Sequence, residues 1–176
     1  MTFDDIFYTH QKMVFNLALR YVQNVEDAEE ISQDVFVKVY DNLEIFNYKS
    51  NIKTWIYRIT MNRSLDFIRA KNTQKRKFYT TVFSLNDPTH RIEVSNFNHP
   101  GIDLENKEAI KFIFQGINQL NDNQKTAIIL IAMENKSYAE ASEILEISVK
   151  AFESLYHRAK KNLELILNPQ KQDGKQ

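Results

Sequence analysis

The chain has 176 residues, and its 23 basic and 23 acidic side chains give a formal net charge of zero. An apolar content of 43% can build the core of one ordinary domain or of two small ones. The absence of cysteine excludes disulfide bonds, thiolate chemistry and cysteine-bound zinc, and it fits a reduced, intracellular setting.

Long helices are predicted for the first part of the chain. Only three glycines and three prolines occur, which favours helices over sheets with many tight turns. Apolar residues at helical spacing predict a first helix over residues 3–22, a second over about 26–44 and a third over about 51–72. These three helices form a predicted first domain, residues 1–77.

The helical pattern stops at residues 78–105, where two prolines, a glycine and many Asn, Ser and Thr residues occur. We expect a flexible linker there. Helical spacing returns in a second predicted domain, residues 106–168, and residues 169–176 resemble a frayed tail. The expected fold is therefore all-α, with two small helical domains joined by a flexible linker.

The last two predicted helices have the layout of a helix-turn-helix. Ser137 and Glu140 have the spacing of a capping box, and Ser148 can cap the helix that follows. The predicted apolar side of this longer helix consists of Val149, Phe152, Leu155, Tyr156, Ala159 and Leu163. Its other side is polar and basic, as in a helix that binds DNA.

The second predicted helix, which contains "DAEEISQDVFVKVY" in residues 27–40, has an unusual outer face. Its core stripe consists of Ala28, Ile31, Val35 and Val39. On the outer face Glu26, Glu30 and Asp34 form a like-charge ladder, which destabilises a helix by roughly 0.2–0.5 kcal/mol per pair. No basic residue in residues 21–37 offsets this ladder.

A strongly basic stretch follows the acidic helix. Residues 49–77 carry nine basic side chains and one acidic one, Asp66, whereas residues 26–34 carry five carboxylates and no base. This separation suggests two partners of opposite charge. Ordinary solvated helix faces are the alternative interpretation.

Nothing in the sequence indicates an enzyme. The four histidines are scattered without the spacing of metal ligands, and there is no glycine-rich phosphate loop. We expect neither catalysis nor a bound metal or cofactor. The acidic start is unlike a secretion signal, and no apolar run reaches the ~18 residues of a membrane span, so we expect a cytoplasmic location.

Two groups of residues resemble the extracytoplasmic-function (ECF) group of bacterial RNA polymerase sigma factors, in the sigma-70 family. The family's second conserved region is matched by Asp27, Ala28, Glu29, Glu30, Ile31, Gln33, Asp34 and Phe36, and then by Trp55, Ile56, Ile59, Asn62, Asp66 and Arg69. Its fourth region is matched by "INQLNDNQKTAIIL", "SYAEASEILEIS" and "ESLYHRAKKNL". The resemblance implies a factor that binds core polymerase and directs promoter recognition and transcription initiation, with region 2 in residues 1–77 and region 4 in residues 106–168.

The resemblance implies that the acidic helix docks on the clamp coiled coil of the largest polymerase subunit. The docking residues would be Glu30, Gln33, Asp34 and Val37. Carboxylates can form charge-assisted bonds with basic side chains, while Val37 and Gln33 provide a drier centre for the contact. A merely solvated helix would explain the acidic residues but not their unrelieved ladder.

The resemblance also implies that the following loop and helix bind the non-template strand of the minus-10 element as it opens. The residues assigned to this contact are Asn47, Tyr48, Lys49, Ser50, Asn51, Lys53, Tyr57, Arg58, Asn62, Arg63 and Arg69. Single-stranded DNA binding needs a cationic track interleaved with flat side chains, and polar loop residues could read a flipped base. Asp66 is interpreted as a brace for Arg69, because a lone carboxylate facing phosphate is repelled.

By the same resemblance, the helix after Ser148 would lie in the major groove of the minus-35 element. Base edges are assigned to Lys150, Ala151, Ser154 and His157, and phosphates to Arg158 and Lys161. The turn residue is commonly Gly in the family, and Glu146 here is expected to adopt a left-handed conformation at a cost of about 1 kcal/mol. Fewer basic residues than in many relatives predict a modest minus-35 contact.

Two other functions stay open at this point. A sigma-like interaction protein could sequester an anti-sigma factor without initiating transcription, but it would not need the bases of residues 49–77. A conventional helix-turn-helix repressor would predict a dimer and a palindromic site, and it leaves the acidic helix unexplained. The resemblance also implies an anti-sigma factor that holds the free protein inactive. The inducing signal, the promoter sequence and the oligomeric state have no recognisable signature in the sequence.

Overall fold

The computed structural model describes residues 2–46, 51–82 and 107–169, except for the side chains of residues 75–82 and 107. Within these ranges the regular structure is helical and no β-strand occurs, which confirms the predicted all-α fold. The helices are α1 (Phe3–Val22), α2 (Val25–Asn42), α3 (Ile52–Val82), α4 (Lys107–Gln119), α5 (Asp122–Ile128), α6 (Tyr138–Leu145) and α7 (Val149–Leu167).

The first of two compact units contains residues 1–49 and 59–98. Its core is built from α1, α2 and the part of α3 that follows residue 58. The buried side chains of this core include Ile6, Val14, Leu17 and Tyr21 of α1, Ile31, Val35 and Val39 of α2, and Ile59 and Leu65 of α3. They recur at helical spacing because each amphipathic helix turns one apolar stripe inward.

A very short connection joins α1 to α2. Gln23 ends α1 in a left-handed conformation with φ 51°, and its side-chain amide donates to the carbonyl oxygens of Arg20 and Tyr21 at 2.7 and 2.9 Å. Asn24 then begins α2, because its side-chain oxygen accepts a hydrogen bond from the backbone N–H of Asp27 at 2.9 Å. These two caps fix where α1 ends and where α2 begins.

The helix α3 is longer than the sequence predicted. It runs from Ile52 to Val82, whereas periodicity indicated about 51–72. The later turns lack a clear apolar stripe, but Lys, Gln and Arg in residues 71–77 are good helix formers and the helix continues through them. The start of the predicted linker, 78–105, therefore belongs to α3, and residues 83–106 lie outside the described residues.

The second compact unit contains residues 50–58 and 99–176. Here α5 continues into a π-helical segment, Ile129–Met133, before α6 and α7. The buried apolar side chains include Phe114, Ile117, Leu120, Ile129, Leu130, Ile144, Phe152 and Ala159. Gly116 allows α4 to approach α7 closely, since a Cβ atom there would lie 2.7 Å from Leu167 Cδ2.

Candidate functional site

The outer face of α2 carries the four residues predicted to dock on a protein partner. Glu30 and Gln33 are exposed, Asp34 is half-exposed and Val37 is 61% exposed. Their spacing of three or four residues puts them on one side of the helix. The structure therefore brings the four residues onto one surface, called the docking face below.

The carboxylate ladder on α2 is relieved in part, which corrects the sequence-based interpretation. Asp34 accepts a hydrogen bond from the guanidinium of Arg63 on α3, and Asp27 accepts one from Lys71 Nζ at 2.5 Å. Both basic partners lie on α3, so the charges of α2 and its neighbours in sequence did not reveal them. Only the Arg63 pair involves a member of the ladder, and because such a half-exposed pair is worth roughly 0–1 kcal/mol, it relieves the ladder modestly while Glu30 remains exposed.

Sequence analysis missed an aromatic residue beside the docking face. Tyr40 is 65% exposed and packs edge-to-face on Phe3, with ring centroids 5.2 Å apart. Its spacing from Gln33 and Val37 on α2 is the signal that could have identified it. A groove of about 400 Å³ also borders Gln33, and its aromatic lining consists of Phe7, Phe15 and Phe36. The surface around the docking face is thus more apolar than predicted.

Part of the predicted minus-10 surface lies outside the described residues, namely Asn47, Tyr48, Lys49 and Ser50. Their assignment stays a prediction. Asn51 caps α3, since its side-chain oxygen accepts a hydrogen bond from the backbone N–H of Lys53 at 2.8 Å. Asn51 and Lys53 are both exposed at this helix N-terminus, whose positive potential favours anions.

Tyr57 and Arg58 form hydrogen bonds, and Arg58 also an ion pair, with other residues of the second unit. Tyr57 is 4% exposed, and its hydroxyl donates to Glu134 Oε2 at 2.8 Å. The Arg58 guanidinium donates to the Glu143 carbonyl at 2.6 Å and pairs with Glu146 at 2.8 Å, so it caps the C-terminal end of α6. Their assignment to DNA stays a prediction that requires these side chains to become accessible.

The middle of α3 presents its other predicted DNA-binding residues. Asn62 and Arg69 are exposed, and Arg63 is half-exposed. Arg69 Nη1 lies 2.8 Å from Asp66 Oδ1 on the preceding turn. The interpretation of Asp66 as a brace for Arg69 is therefore confirmed.

Capping residues define both helices of the helix-turn-helix. The predicted capping box is present: Glu140 N–H donates to Ser137 Oγ at 3.2 Å, and Ser137 N–H donates to Glu140 Oε2 at 2.9 Å. The latter bond is the main cause that lowers the pKa of Glu140 below its usual value. Ser148 begins α7 by accepting from Ala151 N–H at 3.2 Å. Between the helices, Glu146 adopts φ 57° and ψ 38°, the left-handed conformation expected from the sequence.

All the residues predicted to contact the minus-35 element are exposed on α7, namely Lys150, Ala151, Ser154, His157, Arg158 and Lys161. Their spacing forms one stripe, and Phe152 and Ala159 on the other side are fully buried. The prediction for Val149 was wrong, since this residue is 48% exposed. It stands in the first turn of α7, before the first buried residue of that helix.

The described ranges contain no group of three His, Asp or Glu side chains placed to hold a metal ion. Across the same part of the chain, the helices lack the combination of length and apolar character that is needed to cross a bilayer. The notable surfaces of the described residues are instead the docking face, the exposed cations of α3 and the α7 stripe. Such surfaces suit the binding of other macromolecules.

Comparison with protein families gives two matches. The family model of sigma-70 region 2 matches residues 6–74, and the model of sigma-70 region 4 matches residues 113–163. Together the two matches cover more than half of the chain.

Similar proteins of known name agree with these matches. The ECF RNA polymerase sigma factor SigW of Bacillus subtilis is 29% identical over 92% of this chain and 86% of its own length. The ECF sigma-E factor of Haemophilus influenzae is 26% identical over 91% and 84%, and SigM of Bacillus subtilis is 25% identical over 96% of each chain.

Two solved structures have the same fold. The sigma factor RpoE of Bartonella quintana, in complex with the anti-sigma factor NepR, has a TM-score of 0.62 and 23% identity, and the match covers 94% of this chain and 96% of that one. CnrH, in complex with the cytosolic domain of CnrY, has a TM-score of 0.64 and 20% identity over 95% of this chain and 88% of its own.

A two-unit helical chain with region 2 and region 4 of this family is a sigma factor. The chain belongs to the sigma-70 family, in its ECF group, and it directs transcription initiation by RNA polymerase. The comparisons give no support to the alternative of a sigma-like protein that only sequesters an anti-sigma factor.

Proposed function

We propose that this sigma factor works through three separate binding surfaces and catalyses no reaction itself. Residues 1–77 form region 2, which docks on polymerase and binds and melts the minus-10 element. Residues 78–105, of which 78–82 belong to the end of α3, connect region 2 to residues 106–168, which form region 4 and bind the minus-35 element. Residues 169–176 are a tail.

The docking face binds the clamp coiled coil of the largest polymerase subunit. The observation that carries this assignment is Val37, an apolar side chain that is 61% exposed on a face with Glu30 and Asp34. A solvated helix gains nothing from an exposed valine, whereas a protein interface buries an apolar centre within a polar rim. The carboxylates complement the basic side chains of a partner and favour rapid association.

The minus-10 element is bound by the loop before α3 and by α3 itself. Lys53, Asn62 and Arg69 are exposed along this helix, and Arg63 is half-exposed. Cations spaced along one helix can follow the phosphates of a single strand while aromatic side chains stack on bases. The residues assigned in the loop, 47–50, contribute the base-reading groups in this proposal.

The minus-35 element is bound in the major groove by the exposed stripe of α7. Lys150, Ala151, Ser154 and His157 face base edges, and Arg158 and Lys161 face phosphates. Support comes from the capped start of α7 at Ser148, since the N-terminal residues of a recognition helix contact the bases. The stripe carries few cations, so we expect a modest affinity for this element.

An anti-sigma protein holds the free factor inactive in this proposal. The similar structure of RpoE is a complex with the anti-sigma factor NepR, and that of CnrH is a complex with the cytosolic domain of CnrY. A partner that covers the docking face would block access to polymerase. We propose that both encounters take place in the cytoplasm, where core polymerase works.

Promoter opening with purified components tests the whole proposal. Core polymerase and the chain are incubated with promoters taken from transcripts that the factor induces, and unpaired thymines are detected by permanganate. We expect opening at the minus-10 position only when both proteins are present. A chain that binds core polymerase but opens none of these promoters would overturn the proposal in favour of a sequestering protein.

A further inference from the structure

Two residues that are assigned to different partners are bound to each other in the first unit. Arg63 of α3, assigned to the opening strand, donates from Nη2 to Oδ2 of Asp34, assigned to polymerase. The two side chains are 38% and 41% exposed. Both members of the pair are therefore accessible to a partner from solvent.

A second ion pair joins the same two helices but is less exposed. Asp27 lies 2.5 Å from Lys71 Nζ, and the Asp27 side chain is only 16% exposed. From Asp27 to Asp34 the chain advances about two turns along α2, and from Lys71 to Arg63 it goes back about two turns along α3. The Asp27–Lys71 pair thus joins α2 to α3 at a second place, about two turns from Asp34.

We propose that the Asp34–Arg63 pair couples polymerase docking to strand binding, an inference that rests on the docking and minus-10 roles proposed above. In the free chain Asp34 is a positioning residue that holds the Arg63 guanidinium against α2. A basic side chain of polymerase that pairs with Asp34 competes for this carboxylate and repels Arg63 through its like charge. Arg63 is then released to a phosphate of the opening strand.

Arg63 and Arg69 are both paired in the described part of α3 that belongs to the first unit, and the coupling involves Arg63. Arg69 is also paired, but its partner Asp66 lies on α3 and outside the docking face. Polymerase docking therefore leaves the Arg69 pair unchanged. Because coupling is reciprocal, strand binding by Arg63 also frees Asp34 and strengthens docking, so the free factor holds single strands weakly and the holoenzyme holds them tightly.

Binding of the full chain to a labelled single-stranded oligonucleotide of mixed sequence tests the inference without polymerase. Asp34→Asn removes the carboxylate that restrains Arg63, and Glu26→Gln is the matched control because it removes the same charge from an exposed position of the same helix, outside the docking face. We expect D34N to bind roughly threefold to tenfold tighter than wild type and to steepen the slope of log affinity against log salt by about 0.7, the value for one added phosphate contact. We expect E26Q to leave the slope unchanged.

The double variant D34N/R63Q tests whether the tighter binding of D34N depends on Arg63. We expect it to bind the oligonucleotide no tighter than R63Q alone. Equal gains in D34N and E26Q, or a gain that persists in the double variant, would overturn the coupling. If R63Q in complex with core polymerase binds single strands as tightly as the wild-type complex does, the DNA role of Arg63 fails as well, so the two failures are distinguishable. Circular dichroism verifies folding, and Asp34→Ser replaces D34N should D34N not fold.

Discussion

Glu146 closes the turn between α6 and α7, and its side chain pairs with Arg58, the Oε1 and Nη1 atoms lying 2.8 Å apart. Two opposing effects meet at this residue. The left-handed backbone costs a residue with a Cβ atom about 1 kcal/mol, whereas a pair with a partner as exposed as Glu146, at 70%, contributes roughly 0–1 kcal/mol. The backbone cost is the larger of the two.

We therefore expect Glu146→Gly to raise the thermal unfolding temperature of the chain, by an amount that corresponds to about 0.5 kcal/mol after the lost pair is deducted. Glu146→Gln is the control, because it removes the charge and keeps the backbone strain. It should unfold at the wild-type temperature or slightly below it. An E146G variant no more stable than E146Q would contradict this account of the turn.

The capping box at the start of α6 gives a second stability prediction. Ser137→Ala removes the acceptor for the Glu140 backbone N–H, and we expect a loss of about 1 kcal/mol in the free energy of unfolding, measured in urea. Ser154→Ala makes the same chemical change on the exposed middle of α7. It should be neutral or stabilising by about 0.4 kcal/mol, since alanine is the better helix former. Equal losses in both variants would argue against the cap.

The same capping box makes stability depend on pH. The pKa of Glu140 is lowered in the folded chain, chiefly by the hydrogen bond from Ser137 N–H. A carboxyl group of this kind stabilises the fold fully above its unfolded pKa, and the contribution disappears as the pH falls through the folded pKa. Glu140→Gln keeps the capping geometry but removes the charge.

Wild type should therefore unfold at a higher temperature than E140Q at neutral pH. The difference should shrink as the pH falls below 4.5, the ordinary pKa of this carboxyl group. Differential scanning calorimetry over a series of buffers measures it. A difference that stays constant in acid, down to the lowest pH at which both chains fold, contradicts the assigned role of the charge.

The bounds of the helices and the burial of their residues could be predicted only in part from the sequence. The start and end of α1 were predicted correctly, because apolar residues recur along its whole length; the capping box of Thr2 and Asp5 was not recognised in the sequence. The last turns of α3 were missed, since a helix without an apolar stripe gives no periodic signal. Periodicity also assigned Val149 to the core, although position within a helix does not ensure that another element covers it.

Contacts between distant residues were beyond sequence reasoning. The capping residues Ser137 and Ser148 act over three residues, so spacing alone identified them. The partners of Asp27 and Asp34 lie on another helix and depend on how α2 packs on α3. The burial of Tyr57 against Glu134 depends on packing in the same way. The candidate surfaces could therefore be named from the sequence, but their internal ion pairs could not.

The stripe on α7 gives a prediction about DNA affinity. Lys161→Ala should weaken binding to duplex DNA of any sequence to a similar extent and reduce the slope of log affinity against log salt by about 1, since one phosphate contact is lost. Lys160→Ala is the matched control, because Lys160 is exposed next to Lys161 but lies off the stripe, 5.9 Å from the Tyr156 ring. Fluorescence anisotropy measures both slopes. Identical slopes in the two variants would contradict the assignment of Lys161 to a DNA phosphate.

The affinity of the chain for purified core polymerase tests the docking face most directly. Glu30→Lys reverses a charge on that face and leaves the Asp34–Arg63 pair intact, while Glu108→Lys makes the same change at an exposed position on α4. We predict that E30K binds core polymerase about tenfold more weakly than wild type, equal to about 1.4 kcal/mol, and that E108K binds as wild type does. Equal affinities of E30K and wild type would contradict the claim that this acidic face holds the polymerase.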